Sequence, residues 1–147
     1  MPSPIETPKP IDLPRLLEVW EAAVRASHDF LPDGEIELIR PLLASQYFPA
    51  LELTCVRADS GQVLGFLGRA EHKVEMLFVD PVAQGQGVGR TLLRHAMEQG
   101  ARGVDVNEQN PAALGFYLSQ GFSVAGRSPR DGGGRPYPLL HLALPEA

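Results

Sequence analysis

The strongest constraint on the fold lies mid-chain, where three glycines alternate in Gln84-Gly85-Gln86-Gly87-Val88-Gly89. Ahead of them Val74 to Val79 read as a strand closed by Asp80-Pro81; after them Val88, Leu92, Leu93, Ala96 and Met97 recur at helical spacing. A strand that passes through such a loop into a helix gathers several backbone N–H groups with no Cβ to block their approach. The helix N-terminus adds unpaired donors and partial positive charge, so the segment suits an anion, a pyrophosphate above all. A glycine-rich turn without a ligand is the plain alternative, although it needs fewer glycines.

Two familiar phosphate loops fit poorly. A P-loop requires Lys-Ser or Lys-Thr after its glycines, and none follows here. A dinucleotide fingerprint has the spacing G-x-G-x-x-G, with an acidic residue about 20 positions on, a place Asp105 fills. The spacing here is G-x-G-x-G, and the strands before it do not repeat βαβ units.

The rest of the chain supplies an α/β pattern. Ile5-Glu6 can form a short edge strand between prolines. Asp12 can cap a helix with Pro14 in its first turn and a buried stripe of Leu13, Leu16, Leu17, Trp20, Ala23 and Val24. A connection leads to a second helix through Ile36, Ile39, Leu42 and Leu43, which Pro41 is expected to kink or split. Leu51 to Val56 and Val63 to Leu67 form a hairpin across Ala58-Asp59-Ser60-Gly61, and the strand before the glycine loop follows. Beyond the loop helix come a strand from Gly103 to Val106, a helix opened by Asn110-Pro111 and stopped at Gly121, and strands from Phe122 to Gly126 and Leu139 to Leu144. The order β-α-α-β-β-β-α-β-α-β-β predicts one α/β domain over residues 1–147, a mixed sheet with helices on both faces.

Composition narrows the function classes. At 147 residues, 44% hydrophobic and 21% charged, the chain has the make-up of a globular domain. No apolar run approaches the roughly 20 residues that span a bilayer. Met1 to Glu6 lack the basic-then-apolar order of a signal peptide, so neither a membrane partner nor export is expected. A single cysteine, Cys55, forms no internal disulfide, which fits a reducing cytoplasm; its strand setting reads as core. The net charge of −5 speaks against a nucleic-acid partner and tolerates a cationic acceptor, although it equally serves solubility. His28, His72, His95 and His141 show no metal-ligand spacing, so no metal is expected.

Two motifs give the loop a family. Leu77-Phe78-Val79-Asp80-Pro81, followed by Gln84, Gly87 and Gly89, resembles motif A of the GNAT superfamily of N-acetyltransferases, Q/R-x-x-G-x-G/A. Val106-Asn107-Glu108-Gln109-Asn110-Pro111-Ala112-Ala113, with Phe116-Tyr117 and Gly121-Phe122, resembles its motif B at the expected distance. The resemblance covers nearly the whole chain. Ser27-His28-Asp29-Phe30-Leu31 and Arg135-Pro136-Tyr137-Pro138-Leu139-Leu140 look like the YjaB-type acetyltransferases of bacteria.

The resemblance implies a mixed, mostly antiparallel sheet in which two parallel strands splay apart around acetyl-CoA, the co-substrate. It also implies an amine acceptor, on a small molecule or a protein. Carried over, the backbone of Leu77, Phe78 and Val79 would hold the pantetheine arm. Gly85, Gln86, Gly87, Val88, Gly89 and Arg90 would hold the pyrophosphate, with Thr91 an added donor. Gln84 would brace the loop and Asn110 would touch the cofactor. Tyr117 would be the general acid for the departing thiolate, where spacing with Leu114 and Leu118 alone reads as core.

The base is less defined. Glu75, acting through water, and His28, bordering the acceptor site, are the leading candidates, with His72, Asp105 and Glu108 behind them. Trp20 and Phe30 either border the acceptor pocket or, for Trp20, complete the helix stripe. Arg135 to Pro138 shape either that pocket or the final hairpin. A homodimer is left open, and the rival from another class is a module that senses acetyl-CoA without turnover.

Overall fold

The computed structural model describes residues 5–27, 33–131, 134 and 136–145. Its strands are β1 (Ile5–Glu6), β2 (Glu52–Arg57), β3 (Val63–Ala70), β4 (Lys73–Val79), β5 (Gly103–Asn107), β6 (Ser123–Ser128) and β7 (Leu139–Ala143). Helices α1 (Leu13–Ser27), α2 (Asp33–Leu42), α3 (Val88–Glu98) and α4 (Pro111–Ser119) connect them. The sheet order is β1-β2-β3-β4-β5-β7-β6, and β4–β5 is the parallel pair in an otherwise antiparallel sheet. The predicted element order, mixed sheet and splayed pair all hold.

Side-chain alternation along the strands divides the core into two layers. Val56, Leu67, Val74, Val104 and Val106 face one way and pack with Val88, Leu92, Leu93 and Ala96 of α3 and Tyr117 of α4. Cys55, Val63 and Phe66 face the other way and meet Leu16, Val19, Trp20 and Val24 of α1 and Ile36 of α2. Trp20 therefore belongs to the buried stripe of α1. Gly65 lets α3 approach β3 closely: a Cβ there would stand 2.8 Å from Val88 Cγ1 and 3.0 Å from the Phe78 carbonyl oxygen.

Two irregularities position the site. In β4, Gly68 pairs with Met76 and Arg69 with Val74, leaving Glu75 as the extra residue of a bulge. The strand changes phase there, so Val74 packs under α3 whereas Met76 and Phe78 turn towards α1. The parallel pairing of β4 and β5 is confined to Lys73↔Gly103 and Val74↔Val104. Beyond those residues the strands part.

Two local expectations, for Asp12 and Phe122, need correction, and the break expected at Pro41 is present. Asp12 belongs to a 3₁₀ turn, Pro10–Asp12; its carboxylate accepts from the Lys9 N–H at 2.7 Å and pairs with Arg57. Pro41 sits inside α2, which ends one residue later and passes into a π-helical turn, Leu43–Tyr47, where Ser45 Oγ donates to the Pro41 carbonyl. Phe122 lies before β6: its N–H closes back onto Tyr117, and Gly121 adopts φ 102° as the helix stop.

Candidate active site

The parting of β4 and β5 opens a cavity of about 580 Å³. Leu77, Phe78 and Val79 form one wall, Asn110, Ala112, Ala113, Phe116 and Tyr117 another, and Ala23 and Ala26 of α1 a third. Gln84, Gly85, Gly87, Val88, Gly89 and Arg90 line its rim. Gly85 and Gly87 adopt φ 81° and 80°, a left-handed backbone with open space where a Cβ would stand. Gly87 precedes α3 and offers no side-chain cap. Among the described residues, the N–H groups of Gly87, Val88, Gly89 and Arg90 have no protein acceptor. Orphan donors beside an exposed guanidinium suit a polyanion.

The far end of the cavity is set by α4. Asn110, buried, accepts from the Ala113 N–H at 3.2 Å and starts the helix ahead of Pro111. Tyr117 is 6% exposed, and its ring meets Phe116 and Phe122 edge-on at centroid distances of 5.2 and 5.7 Å. No group among the described residues hydrogen-bonds its hydroxyl. Burial pushes that hydroxyl well above the ordinary phenol range, so it stays protonated.

A second cavity, about 120 Å³, shares Leu77, Phe78, Asn110, Ala113 and Tyr117 with the first and continues to Glu75 and Asp105. Its lining includes Leu77 and Val106 from the α3 layer and Met76 and Phe78 from the α1 layer, so it passes through the sheet. At its far end Asp105 accepts from Lys73 Nζ at 2.6 Å and from His141 Nδ1 at 2.7 Å. Ser128 Oγ lies 2.6 Å from His141 Nε2. Burial opposes the charge on Asp105, but its bonds to Lys73 and His141 hold the carboxyl below the usual range.

Comparison with known proteins gives this geometry a family. Residues 50–124 match the family model of the acetyltransferase (GNAT) domain. The chain is 39% identical to a peptidyl-lysine N-acetyltransferase, YjaB, of Salmonella typhimurium, over 89% of this chain and 90% of that protein. The chain belongs to the GNAT acetyltransferase family. The solution structure of apo-form YjaB from Escherichia coli superposes on this GNAT enzyme with a TM-score of 0.87, at 37% identity and 97% coverage of both chains. The PaiA N-acetyltransferase of Thermoplasma acidophilum, solved with coenzyme A, shares the fold at a TM-score of 0.67 and 22% identity, covering 93% of this chain and 96% of its own.

In this GNAT acetyltransferase most sequence-expected cofactor residues line the larger cavity. Gln86 and Thr91 do not: Gln86 is exposed, and the Thr91 N–H bonds back to Gly87 inside the helix. Glu75 lines the through-sheet cavity and lies 3.8 Å from Lys73. His28 and Phe30 lie outside the described residues. His72 bonds the Gly100 carbonyl, and Glu108 pairs with Arg127; neither lines a cavity. Cys55 is buried in the α1 layer, where burial raises its thiol pKa.

Sequence reading gave no site role to Ala23, Ala26, Pro81 or Phe116. The one available signal was the pair of small residues three apart on α1, which lets that helix face a ligand-sized space. Among the described residues no cluster of three His, Cys, Asp or Glu side chains is arranged for a metal ion, and no helix is long and apolar enough to cross a membrane.

Proposed function

We propose that the chain transfers the acetyl group of acetyl-CoA to a protein lysine by direct attack, with Tyr117 as the proton donor to the leaving thiolate. The observation that carries this reading is Tyr117: a buried ring whose hydroxyl has no hydrogen-bond partner among the described residues, lining both the glycine-rimmed cavity and the passage through the sheet. The acceptor class is suggested by the peptidyl-lysine activity in the name of the Salmonella relative.

The residues fit the donor. Gly85, Gly87, Val88, Gly89 and Arg90 would take the pyrophosphate on orphan N–H groups at a helix N-terminus. The edge of β4 from Leu77 to Val79, left without a partner strand where β5 departs, would pair with the pantetheine amides like an added strand. Asn110 and Gln84 would border the arm and brace the loop.

For the chemistry, the neutral amine nitrogen bonds to the thioester carbonyl carbon and the C–S bond breaks. The thiolate takes the Tyr117 proton, and the phenol is restored by the proton the new amide sheds. An ordinary thiol titrates near 8.5 and a phenol near 10, and burial widens that gap, so Tyr117 works by sharing its proton as the C–S bond lengthens. Glu75, through water, is our assignment for the first deprotonation of the ammonium. The test is a thiol-release assay with lysine peptides: acceptor-dependent release supports the reading. Coenzyme A binding with no release over any amine panel would instead favour the sensor.

A further inference from the structure

Three residues that the transfer chemistry does not use stand in a row across β5, β7 and β6. Val104, Val106, Leu140 and Leu142 pack into the α3 layer, so strand alternation turns Asp105, Leu139 and His141 to the opposite face. Asp105 and His141 are cross-strand partners, with His141 Nδ1 2.7 Å from Asp105 Oδ1. The irregularity in β6 between Val124 and Gly126 then sets Gly126 opposite His141 and Ser128 opposite Leu139. In that register Ser128 Oγ lies 2.6 Å from His141 Nε2.

The direction of the hydrogen bonds follows from the carboxylate. Burial opposes the charge on Asp105, but its bonds to Lys73 and His141 keep the carboxyl below the usual range. An ionised carboxylate only accepts, so Nδ1 carries the ring proton. Nε2 of the neutral imidazole is then a lone pair facing the Ser128 hydroxyl. Lys73 Nζ lies 2.6 Å from the second Asp105 oxygen, so both oxygens of the carboxylate are engaged.

Hydroxyl to Nε2 and Nδ1 to carboxylate is the connectivity that turns a serine into a nucleophile in hydrolases on unrelated folds. We infer that Ser128 is a nucleophile activated by His141 and Asp105, and that this face of the sheet hydrolyses short-chain carboxylic esters. Access suits the role: β6 is the outer strand of the sheet, Ser128 is half-buried and the His141 side chain is 38% exposed. Leu139, opposite Ser128 in the register, offers apolar surface to a short acyl chain.

The step balances without a further reactant. Ser128 Oγ bonds to the ester carbonyl carbon while its proton passes to Nε2. The imidazolium, stabilised by Asp105, gives that proton to the departing alkoxide as the C–O bond breaks. Water, deprotonated by Nε2, then cleaves the acyl–Ser128 ester, and the proton returns to the serine oxygen. One ester and one water yield one acid and one alcohol. Neither acetyl-CoA nor the glycine loop takes part, so the activity stands apart from the transfer reading.

The test uses the whole chain without coenzyme A. Diisopropyl fluorophosphate should label one residue, Ser128, located by peptide mass spectrometry, and p-nitrophenyl acetate should release nitrophenol above the rate in buffer. His141→Gln, which leaves the serine without its base, should slow both reactions about 100-fold. Ser128→Ala should abolish the labelling and the release, with coenzyme A affinity within about twofold of the parent protein as the check on folding. If the serine variant fails that check, the site of labelling in the parent protein decides alone. A label on any other residue, no label at all, or ester release in a folded Ser128→Ala equal to that of the parent overturns the inference.

Discussion

The Arg15 guanidinium of α1 lies 2.7 Å from the Asp80 carboxylate at the end of β4, joining a helix that walls the cavity to the loop that rims it. Arg15 Nε also donates to the Val63 carbonyl, and Asp80 Oδ1 accepts from the Val82 N–H at the start of the loop. Both side chains are largely buried, so the pair is not a screened surface contact. Arg15→Met should destabilise the fold by about 1.5–3 kcal/mol, the range for a hydrogen bond to a charged group, and weaken acetyl-CoA binding several-fold. Chemical denaturation and calorimetric titration of coenzyme A read the two effects separately.

Tyr117→Phe keeps the ring contacts with Phe116 and Phe122 and removes only the hydroxyl. Turnover should fall about 100-fold or more, the usual contribution of a positioned acid, while coenzyme A affinity stays within a few-fold. A turnover equal to that of the parent protein would remove Tyr117 from the mechanism.

Two glycines should respond in opposite senses to alanine. At Gly87 a methyl group meets open space, so the cost is the left-handed backbone itself, about 1–2 kcal/mol, with weaker coenzyme A binding as the loop N–H groups shift. Gly115 lies within α4, also facing open space, and Gly115→Ala should raise stability by about 0.5–1 kcal/mol. Denaturation midpoints of the two variants decide the point.

Acid should expose the Asp12–Arg57 fork, with Nη2–Oδ2 at 2.7 Å and Nη1–Oδ1 at 3.1 Å. The Arg57 hydrogen bond, assisted by the Lys9 N–H, lowers the Asp12 carboxyl to about 2. An unfolded aspartate titrates near 3.9, so the folded state binds this proton less readily. Its stabilisation is present above about pH 4 and is lost as pH falls through about 2. Urea midpoints from pH 5 to pH 2 should fall more steeply for the parent protein than for Asp12→Asn. Parallel profiles would show that the fork contributes nothing to acid stability.

Local signals made the element order legible: the change of period after residue 50, the Asn110-Pro111 helix start and the Gly121 stop each act within a few residues. The glycine loop was legible for the same reason. What stayed hidden depends on partners distant in the chain. Nothing near Glu75 announces a bulge, because the bulge is defined by Gly68 and Arg69 on the neighbouring strand. Asp12 looks like a helix cap until Arg57, 45 residues away, claims its carboxylate. Asp105, His141 and Ser128 come together only through the β5–β7–β6 pairing, so their alignment had no sequence signature. Ala23 and Ala26 read as small residues on a helix, and only the packing of α1 makes them a cavity wall.

The order β5-β7-β6 also bears on how the molecule assembles on the ribosome. β6 is synthesised before β7, yet β7 lies between it and β5. Until Leu139–Ala143 have been made, β5 exposes an open edge and β6 has no neighbour to join. Pairing across that distance is slow, and an unpaired edge is a template for association with other chains. Pairing of the last strand, rather than formation of the glycine loop, should therefore be the step that removes the open β5 edge of the nascent sheet.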